Sequence, residues 1–296
     1  MRTTGRKGGL ILIILSAASF GTLAIFGRFA YADGIDVPTL LFMRFAIASL
    51  VMVVLLLVTR QPLPRGKILV ELIGMGAIGY VGQSFCYLSA VKYASAGLAA
   101  LLLYLYPAFV FILSALFLKE RVTRLKTCAL GLATLGVGLT ANPQGGSWTG
   151  ILLAVSAAAI YAVYIIVGAG VMRRVSAAPS SLVIFASAAG VYGVFTAVNG
   201  PHWPATRAGW MAVGGIALVS TVIPVVTFLA GLKRVGPTDA SMLSTLEPVV
   251  TVVLAAWLLG ESLRPVTLVG GALILAAVIL LARGQLRHTG ANTLGG

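Results

Sequence analysis

The chain has 296 residues, of which 59% are hydrophobic and 9% are charged, and its mean hydropathy is +1.03. A soluble domain carries about 25% charged residues, so this composition excludes an ordinary soluble protein. The formal net charge of +14 is divided among short segments between apolar runs, and we interpret it as a signal of membrane orientation rather than of nucleic-acid binding.

Ten apolar runs approach or reach the roughly 17 to 25 residues that a helix needs to cross a bilayer. In chain order they cover residues 10–30, 39–59, 68–91, 96–118, 127–141, 150–170, 180–198, 210–232, 240–259 and 266–282. The connecting segments are short, and the uncharged stretch 142–149 divides the chain most evenly. The sequence therefore predicts an all-α integral membrane protein of ten transmembrane helices, arranged as five-helix repeats of residues 1–143 and 144–296.

The two halves repeat each other in sequence. Residues 92–120 match residues 233–261 at a constant offset of 141 positions and without a gap, so that Pro107 falls on Pro248. Because each half holds an odd number of predicted spans, the two copies enter the bilayer from opposite sides. Two inverted repeats around a site at the midplane are typical of a secondary transporter.

The basic residues predict the orientation of the spans. Most of the 21 Lys and Arg residues fall in segments that share one side if the amino terminus is cytoplasmic. The first apolar run is longer than the core of a signal peptide, which has about 7 to 15 residues, so we expect it to remain as the first helix. The prediction is a multi-pass protein of a bacterial cytoplasmic membrane with both termini in the cytoplasm.

Several motifs resemble the EamA-type repeat of the drug/metabolite transporter superfamily. They are Leu88 to Tyr93, Pro107 with Lys119-Glu120-Arg121, Gly231 to Lys233, Leu246-Glu247-Pro248 with Leu258 to Ser262, and Arg44-Phe45 in the second span. The resemblance covers the chain from about Leu10 to Leu281. It implies ten helices in two inverted halves and the export of small metabolites, among which amino acids are the best-known cargo. A multidrug exporter is the alternative that we keep open.

Polar side chains inside the predicted spans are candidates for a substrate cavity, because an unpaired polar group is costly in hydrocarbon. Gly76, Tyr80, Gln83 and Tyr87 follow a helical spacing that places them on one stripe of the third span. For Gln83 the alternative is an amide bonded to a neighbouring helix, and for the tyrosines it is a place in an interfacial belt. The full set of candidates is Tyr80, Gln83, Tyr87, Tyr161, Tyr164, Ser220, Thr227 and Ser244.

Three prolines are predicted to kink helices at membrane depth, namely Pro107, Pro224 and Pro248. Pro224 and Pro248 free backbone carbonyls that can bind cargo or a neighbouring hydroxyl, although packing alone would also explain a kink. We expect Pro107, like Pro248, to set the shape of its helix. Tyr104 and Tyr106 differ by about 200° around a continuous helix, so we expect that they do not share one cavity.

Two ionisable residues lie inside predicted spans, and each is a candidate for cargo binding or proton coupling. They are Glu247 and Arg44, whose repeat counterparts Tyr106 and Phe185 carry no charge. The structural alternatives are a Glu247 carboxyl that is protonated or bonded to Ser244, and an Arg44 side chain that binds backbone carbonyls at a helix end.

The sequence offers few candidates for catalytic residues. No His lies in a predicted span, no Asp lies at membrane depth, and neither an HExxH nor a GxxxxGK motif is present. We therefore predict a protein without enzyme activity, catalytic residues, metal or cofactor, and we keep a channel or a membrane-embedded enzyme as lesser alternatives. The expected partners are a small-molecule substrate and membrane lipid but no nucleic acid, and a homodimer is left open.

Overall fold

The computed structural model describes residues 2–93, 102–120, 122–140, 147–259 and 265–291, and every regular element within these ranges is a helix. The α-helices are α1 (Arg2–Gly21), α2 (Leu23–Ala32), α3 (Val37–Thr59), α4 (Lys67–Gly74), α5 (Val81–Tyr93), α6 (Tyr106–Phe117), α7 (Arg124–Thr140), α8 (Trp148–Val171), α9 (Ala177–Asn199), α10 (Arg207–Ala217), α11 (Ile223–Val235), α12 (Pro237–Leu243), α13 (Glu247–Leu259) and α14 (Pro265–Ala291). Two π-helical segments lie at Met75–Tyr80 and Leu218–Val222, and a 3-10 turn lies at Ser244–Leu246. The predicted all-α class is confirmed for the described chain.

Seven helices of the described ranges are long and apolar enough to cross a membrane. They are Arg6–Ala32, Val37–Thr59, Lys67–Tyr87, Trp148–Val171, Ala177–Asn199, Arg207–Val235 and Pro237–Leu258. Shorter apolar helices, Tyr106–Phe117 and Leu268–Leu280, fall within the predicted fourth and tenth spans, and the 17-residue α7 covers the predicted fifth. Residues 96–101 of the predicted fourth span lie outside the described residues. A multi-span membrane protein is thus confirmed, whereas the count of ten and the inversion remain predictions.

The first and third spans are not regular α-helices throughout. The first breaks at Thr22, whose hydroxyl donates a hydrogen bond to the Ser19 carbonyl at 2.6 Å. The third contains the π-helical segment Met75–Tyr80. There the backbone closely approaches α9, because a Cβ at Gly76 would lie only 2.5 Å from the Ile184 carbonyl oxygen. The two crossings agree with the predicted spans, but apolar length does not report the local contacts that interrupt a helix.

Small residues bring α7 and α14 into close contact. A Cβ at Gly136 would lie 2.6 Å from the backbone oxygen of Gly270, so this crossing requires glycine at position 136. Gly131, Gly138 and Gly271 have open space where a Cβ would stand. Of these glycines, Gly136 is therefore the one that the contact requires.

Ion pairs join the helices at one end of the first span. Asp239, in the first turn of α12, is 2% exposed and lies 3.3 Å from Arg6 Nη2 and 3.5 Å from Lys126 Nζ. Lys126 Nζ also donates to Glu120 Oε2 at 3.1 Å. We call these four residues the Asp239 network, and it connects α1, α7 and α12.

Hydrogen bonds to Asp33 join two helices at the opposite end of the first span. Asp33 accepts hydrogen bonds from the Thr206 hydroxyl at 2.6 Å, the Ala205 amide at 2.8 Å and the Thr206 amide at 3.2 Å. The Thr206 hydroxyl, with these amides, holds the pKa of Asp33 below its ordinary value of 3.8. We call this set of bonds the Asp33 clamp, and it joins α2 to the start of α10.

Candidate functional site

Interrupted helices meet at one level inside the molecule. The Thr22 hydroxyl at the break of the first span lies 2.7 Å from the Ser220 hydroxyl in the second π-helical segment. The Thr251 hydroxyl donates to the Gly21 carbonyl at 2.9 Å and so joins the same break to α13, which begins at Glu247. Irregular backbone at membrane depth is tolerated only where it is buried in protein or lines a cavity, and π-helical turns are frequent at functional sites. The convergence therefore marks the candidate site.

Arg44 connects the two π-helical segments. Its Nε donates to the Thr221 hydroxyl at 2.6 Å, and its Nη2 donates to the Tyr80 hydroxyl at 3.3 Å and more weakly to the Ser220 carbonyl at 3.5 Å. The side chain is 6% exposed, and the guanidinium carbon lies 5.0 Å from the centre of the Phe45 ring. One buried cation on α3 thus holds a segment from each half of the chain.

Pro224 explains why the Ser220 carbonyl is available to Arg44. Pro224 has no N–H group to donate to the Ser220 carbonyl one turn earlier, and that carbonyl faces Arg44 instead. The Pro224 carbonyl itself accepts hydrogen bonds from Ser16 at 2.8 Å and from Thr227 at 3.2 Å. The carbonyl that this proline frees is therefore held by a protein cation.

Five tyrosines form a continuous row beside Arg44. Adjacent ring centres are 5.7 Å apart for Tyr80 and Tyr164, 6.0 Å for Tyr164 and Tyr161, 4.8 Å for Tyr161 and Tyr106, and 6.2 Å for Tyr106 and Tyr104. Tyr80, Tyr164 and Tyr106 are buried, whereas Tyr161 and Tyr104 are half-buried. We call these residues the tyrosine row, and its two half-buried members give it an accessible side.

Glu247 lies near this row, and no described residue pairs with its carboxylate. The side chain is half-buried and lies within electrostatic range of Arg44 and of five phenols, those of Tyr80, Tyr87, Tyr104, Tyr106 and Tyr161. Its backbone carbonyl accepts from Thr251 at 3.1 Å, but its carboxylate makes no hydrogen bond or ion pair within the described ranges. The Ser244 hydroxyl, considered above as a partner, donates to the Ala240 carbonyl at 2.9 Å.

Most of the predicted site residues come together, but some do not. The structure groups Tyr80, Tyr87, Tyr161, Tyr164, Arg44 and Glu247 at one level. Gln83 is half-buried and accepts from Ser84 at 3.4 Å, and nothing in the described ranges joins its amide to the tyrosine row.

The other predicted residues have local partners. Thr227 donates to the Ile223 carbonyl at 2.7 Å, and Ser220 belongs to the Arg44 contacts. The remaining prolines, Pro107 and Pro248, each stand second in a helix, α6 and α13 respectively.

Sequence reasoning missed Tyr104, Tyr106 and Thr221. The separation of the two tyrosines by about 200° holds for a continuous helix, but residues 104 and 105 form a turn and α6 begins at Tyr106. Their rings therefore lie side by side, with centres 6.2 Å apart, which the angle in a continuous helix did not predict. The signal that could have found this was Pro107, since proline favours the first turn of a helix.

One crevice between α3, α4 and α9 lies apart from this site. Val53, Ile73, Ala77 and Leu182 are among its lining residues, and the lining is almost wholly apolar. Such a surface suits a lipid chain and offers no charge to a polar cargo. In the described part of the chain, no group of three or more His, Cys, Asp or Glu side chains is placed to hold a metal ion.

Known proteins share this sequence pattern and fold. The sequence model of the EamA-like transporter family matches residues 7–142 and again residues 148–283. An uncharacterized transporter of Archaeoglobus fulgidus is 28% identical over 93% of this chain and 96% of its own length. The uncharacterized inner membrane transporter YedA of Escherichia coli K12 is 26% identical over 93% of this chain and 92% of its own length. A solved crystal structure superposes with a TM-score of 0.80 at 23% identity, covering 95% of this chain and 99% of that one, which shows a shared fold. The chain, a multi-pass membrane protein, belongs to the EamA-like transporter family.

Proposed function

We propose that the protein is a secondary transporter that exports small metabolites, foremost amino acids and related compounds, across the bacterial cytoplasmic membrane by alternating access. The observation that carries this proposal is the half-buried carboxylate of Glu247, which no described residue pairs, at the level where interrupted helices meet. Ionisable groups within membrane spans mark substrate and ion paths, and broken helices are the usual walls of such sites. Aromatic rings with a few polar groups are also the usual lining of a small-molecule site.

The two π-helical segments support the proposal of alternating access. The repeat offset of 141 carries residues 75–80 onto 216–221, which overlaps the second segment, Leu218–Val222. Each half therefore contributes one irregular turn, and Arg44 bonds to both. A rocking motion of one half against the other would change these bonds first, which suits a site located between moving repeats.

The ends of the first span supply contacts that could alternate. The Asp239 network holds one end through ion pairs, and the Asp33 clamp holds the other through hydrogen bonds. Alternating access requires that one end opens while the opposite end stays closed. Both sets involve side chains that water can reach once helices separate, so either set can exchange protein partners for water.

Counterflow in proteoliposomes tests this function. Vesicles preloaded with an unlabelled mixture of the twenty amino acids are diluted into buffer with a trace of one radiolabelled amino acid at a time. A carrier exchanges internal for external substrate, so we expect transient, saturable accumulation of at least one label. Uptake that rises linearly with concentration, or that is unaffected by preloading, would contradict a carrier and favour a channel.

A multidrug exporter is the second candidate, because the tyrosine row offers an extended aromatic surface. The same vesicles distinguish the two candidates. Inhibition of amino-acid counterflow by unlabelled amino acids, at concentrations where ethidium has no effect, supports the metabolite exporter. Ethidium counterflow without amino-acid counterflow supports the drug exporter.

A further inference from the structure

We infer that the cargo of this site carries a positively charged amine or ammonium group, which pairs with the Glu247 carboxylate against the faces of the tyrosine row. The inference rests on the proposed transport function and names the chemical class of its cargo. Three observations support it independently: the free carboxylate, the surrounding rings and the occupied guanidinium of Arg44.

The first observation is the free carboxylate. Glu247 has no hydrogen-bond or ion-pair partner among the residues that the structure describes, although it begins a helix inside the membrane. An anion in a low-dielectric site is unfavourable unless a cation or hydrogen-bond donors compensate it. Among the described residues, no side chain donates a hydrogen bond to this carboxylate, and the charge of Arg44 acts on it only at a distance. A cationic cargo would supply both the opposite charge and N–H donors.

The second observation is the arrangement of rings. Cations are attracted to aromatic faces within about 6 Å of the ring centre, and several rings together form the cages that recognise ammonium groups. Neighbouring rings of the tyrosine row are 4.8 to 6.2 Å apart, and Glu247 lies within electrostatic range of four of the five. Tyr164 adds a buried hydroxyl that has no hydrogen-bond partner in the described ranges and can accept from an N–H group.

The third observation concerns Arg44, whose charge lies within electrostatic range of Glu247. Its Nε and Nη2 donate to Thr221, Tyr80 and Ser220, and the side chain is 6% exposed. A cargo carboxylate would have to displace these protein oxygens to bind it bidentately. The site therefore favours the amine end of a molecule over its carboxylate end.

Three probes with a common phenyl ring test this preference. Phenethylamine is a cation, phenylalanine is a zwitterion, and 3-phenylpropionate is an anion. We expect phenethylamine to raise the melting temperature of the purified protein at concentrations roughly tenfold lower than phenylalanine requires, because the amine keeps the ion pair without desolvating a carboxylate. We expect no shift from 3-phenylpropionate.

Variants show whether Glu247 and the rings are responsible. We expect Glu247→Gln to weaken phenethylamine binding by at least roughly tenfold, as loss of a desolvated ion pair implies. The matched control is Glu71→Gln, which removes the same charge from an exposed ion pair with Arg174. If Glu247→Gln does not fold, Tyr161→Leu and Tyr161→Phe replace it, since only the leucine removes the aromatic face.

Several outcomes would overturn the inference. Equal binding of 3-phenylpropionate and phenethylamine would do so, as would unchanged phenethylamine affinity in Glu247→Gln or Tyr161→Leu. Absence of a thermal shift with each of phenethylamine, choline and tetraethylammonium would also overturn it. Amino-acid counterflow is measured in the same preparations, so a carrier that rejects amines is distinguished from a protein that transports nothing.

Discussion

At the scale of single residues, charge breaks the symmetry of the repeat. The offset of 141 places Arg44 on Phe185 and Glu247 on Tyr106. In the structure Tyr106 belongs to the tyrosine row near Glu247, and the Phe185 ring lies 6.3 Å from Phe45, the neighbour of Arg44. Repeat counterparts therefore surround one site, where one copy supplies the charge and the other supplies the aromatic surface. Such a division of roles fits a site that must hold a polar cargo in an apolar wall.

Replacement of Arg44 should affect both stability and transport. Arg44→Leu leaves Thr221 and Tyr80 without a charged donor, and each hydrogen bond to a charged group contributes about 1.5 to 3 kcal/mol. Arg44→Lys keeps the charge but loses the planar fork, so we expect partial recovery of stability with little recovery of transport. Thermal unfolding and counterflow measure the two effects.

Arg174→Leu is the control for Arg44→Leu, because its exposed pair with Glu71 should contribute about 0 to 1 kcal/mol. Equal stability of the two leucine variants would contradict the proposed bridge.

Replacement of Glu247 tests coupling to protons. Glu247→Gln keeps the shape of the side chain but cannot carry a proton, and intramembrane carboxylates are the usual proton carriers of transporters. At saturating substrate we expect exchange to persist while accumulation driven by an imposed pH difference is lost. The measurement compares both activities in proteoliposomes, with Glu71→Gln as the control. Accumulation by the glutamine variant would show that Glu247 is not the coupling site. Indifference of the unmodified protein to the pH difference would identify a facilitator.

At the scale of helices, the repeat places its interruptions at equivalent positions. Helix α6 begins at Tyr106 and helix α13 begins at Glu247, and these two residues are related by the offset of 141. Pro107 and Pro248 follow them, since proline lacks the N–H that a helix interior needs but fits a first turn. The two halves therefore begin a helix at equivalent positions even though their polar residues differ.

A glycine pair tests the close approach at the first π-helical segment. A Cβ at Gly76 would lie 2.5 Å from the Ile184 carbonyl oxygen and 2.9 Å from Ser187 Cβ, and a backbone oxygen cannot rotate away. We expect Gly76→Ala to lower stability by about 1 to 3 kcal/mol, as overpacking does, and to impair counterflow. Gly74→Ala has open space at its Cβ, and we expect it to be neutral or to stabilise the helix by up to about 1 kcal/mol. Similar melting temperatures for the two variants would contradict this account.

The Asp33 clamp should respond to acid. The hydrogen bond from the Thr206 hydroxyl has the largest effect in keeping the pKa of Asp33 below 3.8 in the folded protein, and the amides of Thr206 and Ala205 add to it. A lowered pKa means that the clamp is present above pH 3.8 and is lost as the pH falls through the lowered value. We expect unmodified protein to melt above Asp33→Asn at neutral pH and this difference to shrink in acid. In a Thr206→Val background, Asp33→Asn should lower the melting temperature by less. A difference in melting temperature between unmodified protein and Asp33→Asn that is constant with pH would exclude the carboxylate as its source.

At the scale of the whole molecule, the sequence specified the spans better than the site. Long apolar runs report a crossing directly, so α3, α8 and α9 begin and end close to the predicted limits. The bond from Arg44 to Thr221 joins residues 177 positions apart, and no local pattern predicts such a contact. The side-by-side rings of Tyr104 and Tyr106 depend on a turn that a helical wheel cannot represent. Periodicity therefore succeeds where the chain is regular and fails at the interruptions, which is where the candidate site lies.

The inverted arrangement of the halves can be tested from one contact between helix ends. The backbone N–H and the hydroxyl of Ser147 both donate to the Tyr93 carbonyl, at 3.1 and 3.0 Å, so the end of α5 and the start of α8 share one face. Three spans precede Tyr93, and an even number of crossings must then separate it from Ser147. We therefore expect an odd number of spans in the first half, as the proposed inversion of the second half requires.

We predict that a cysteine at Ser147 reacts with a membrane-impermeant maleimide in intact cells, whereas cysteines at Arg6 and Arg173 do not. The physical reason is the excess of Lys and Arg on one side, which should be cytoplasmic, together with the contact of Ser147 with the end of α5, which we expect on the opposite side. A membrane-permeant maleimide should label all three positions and serves as the control for reactivity. A tag at the carboxyl terminus should likewise be reached only after the cells are opened. Labelling of Arg173→Cys from outside would mean that α8 does not cross between Ser147 and Arg173, and a second half that enters from the same side as the first would remove the geometric basis for alternating access.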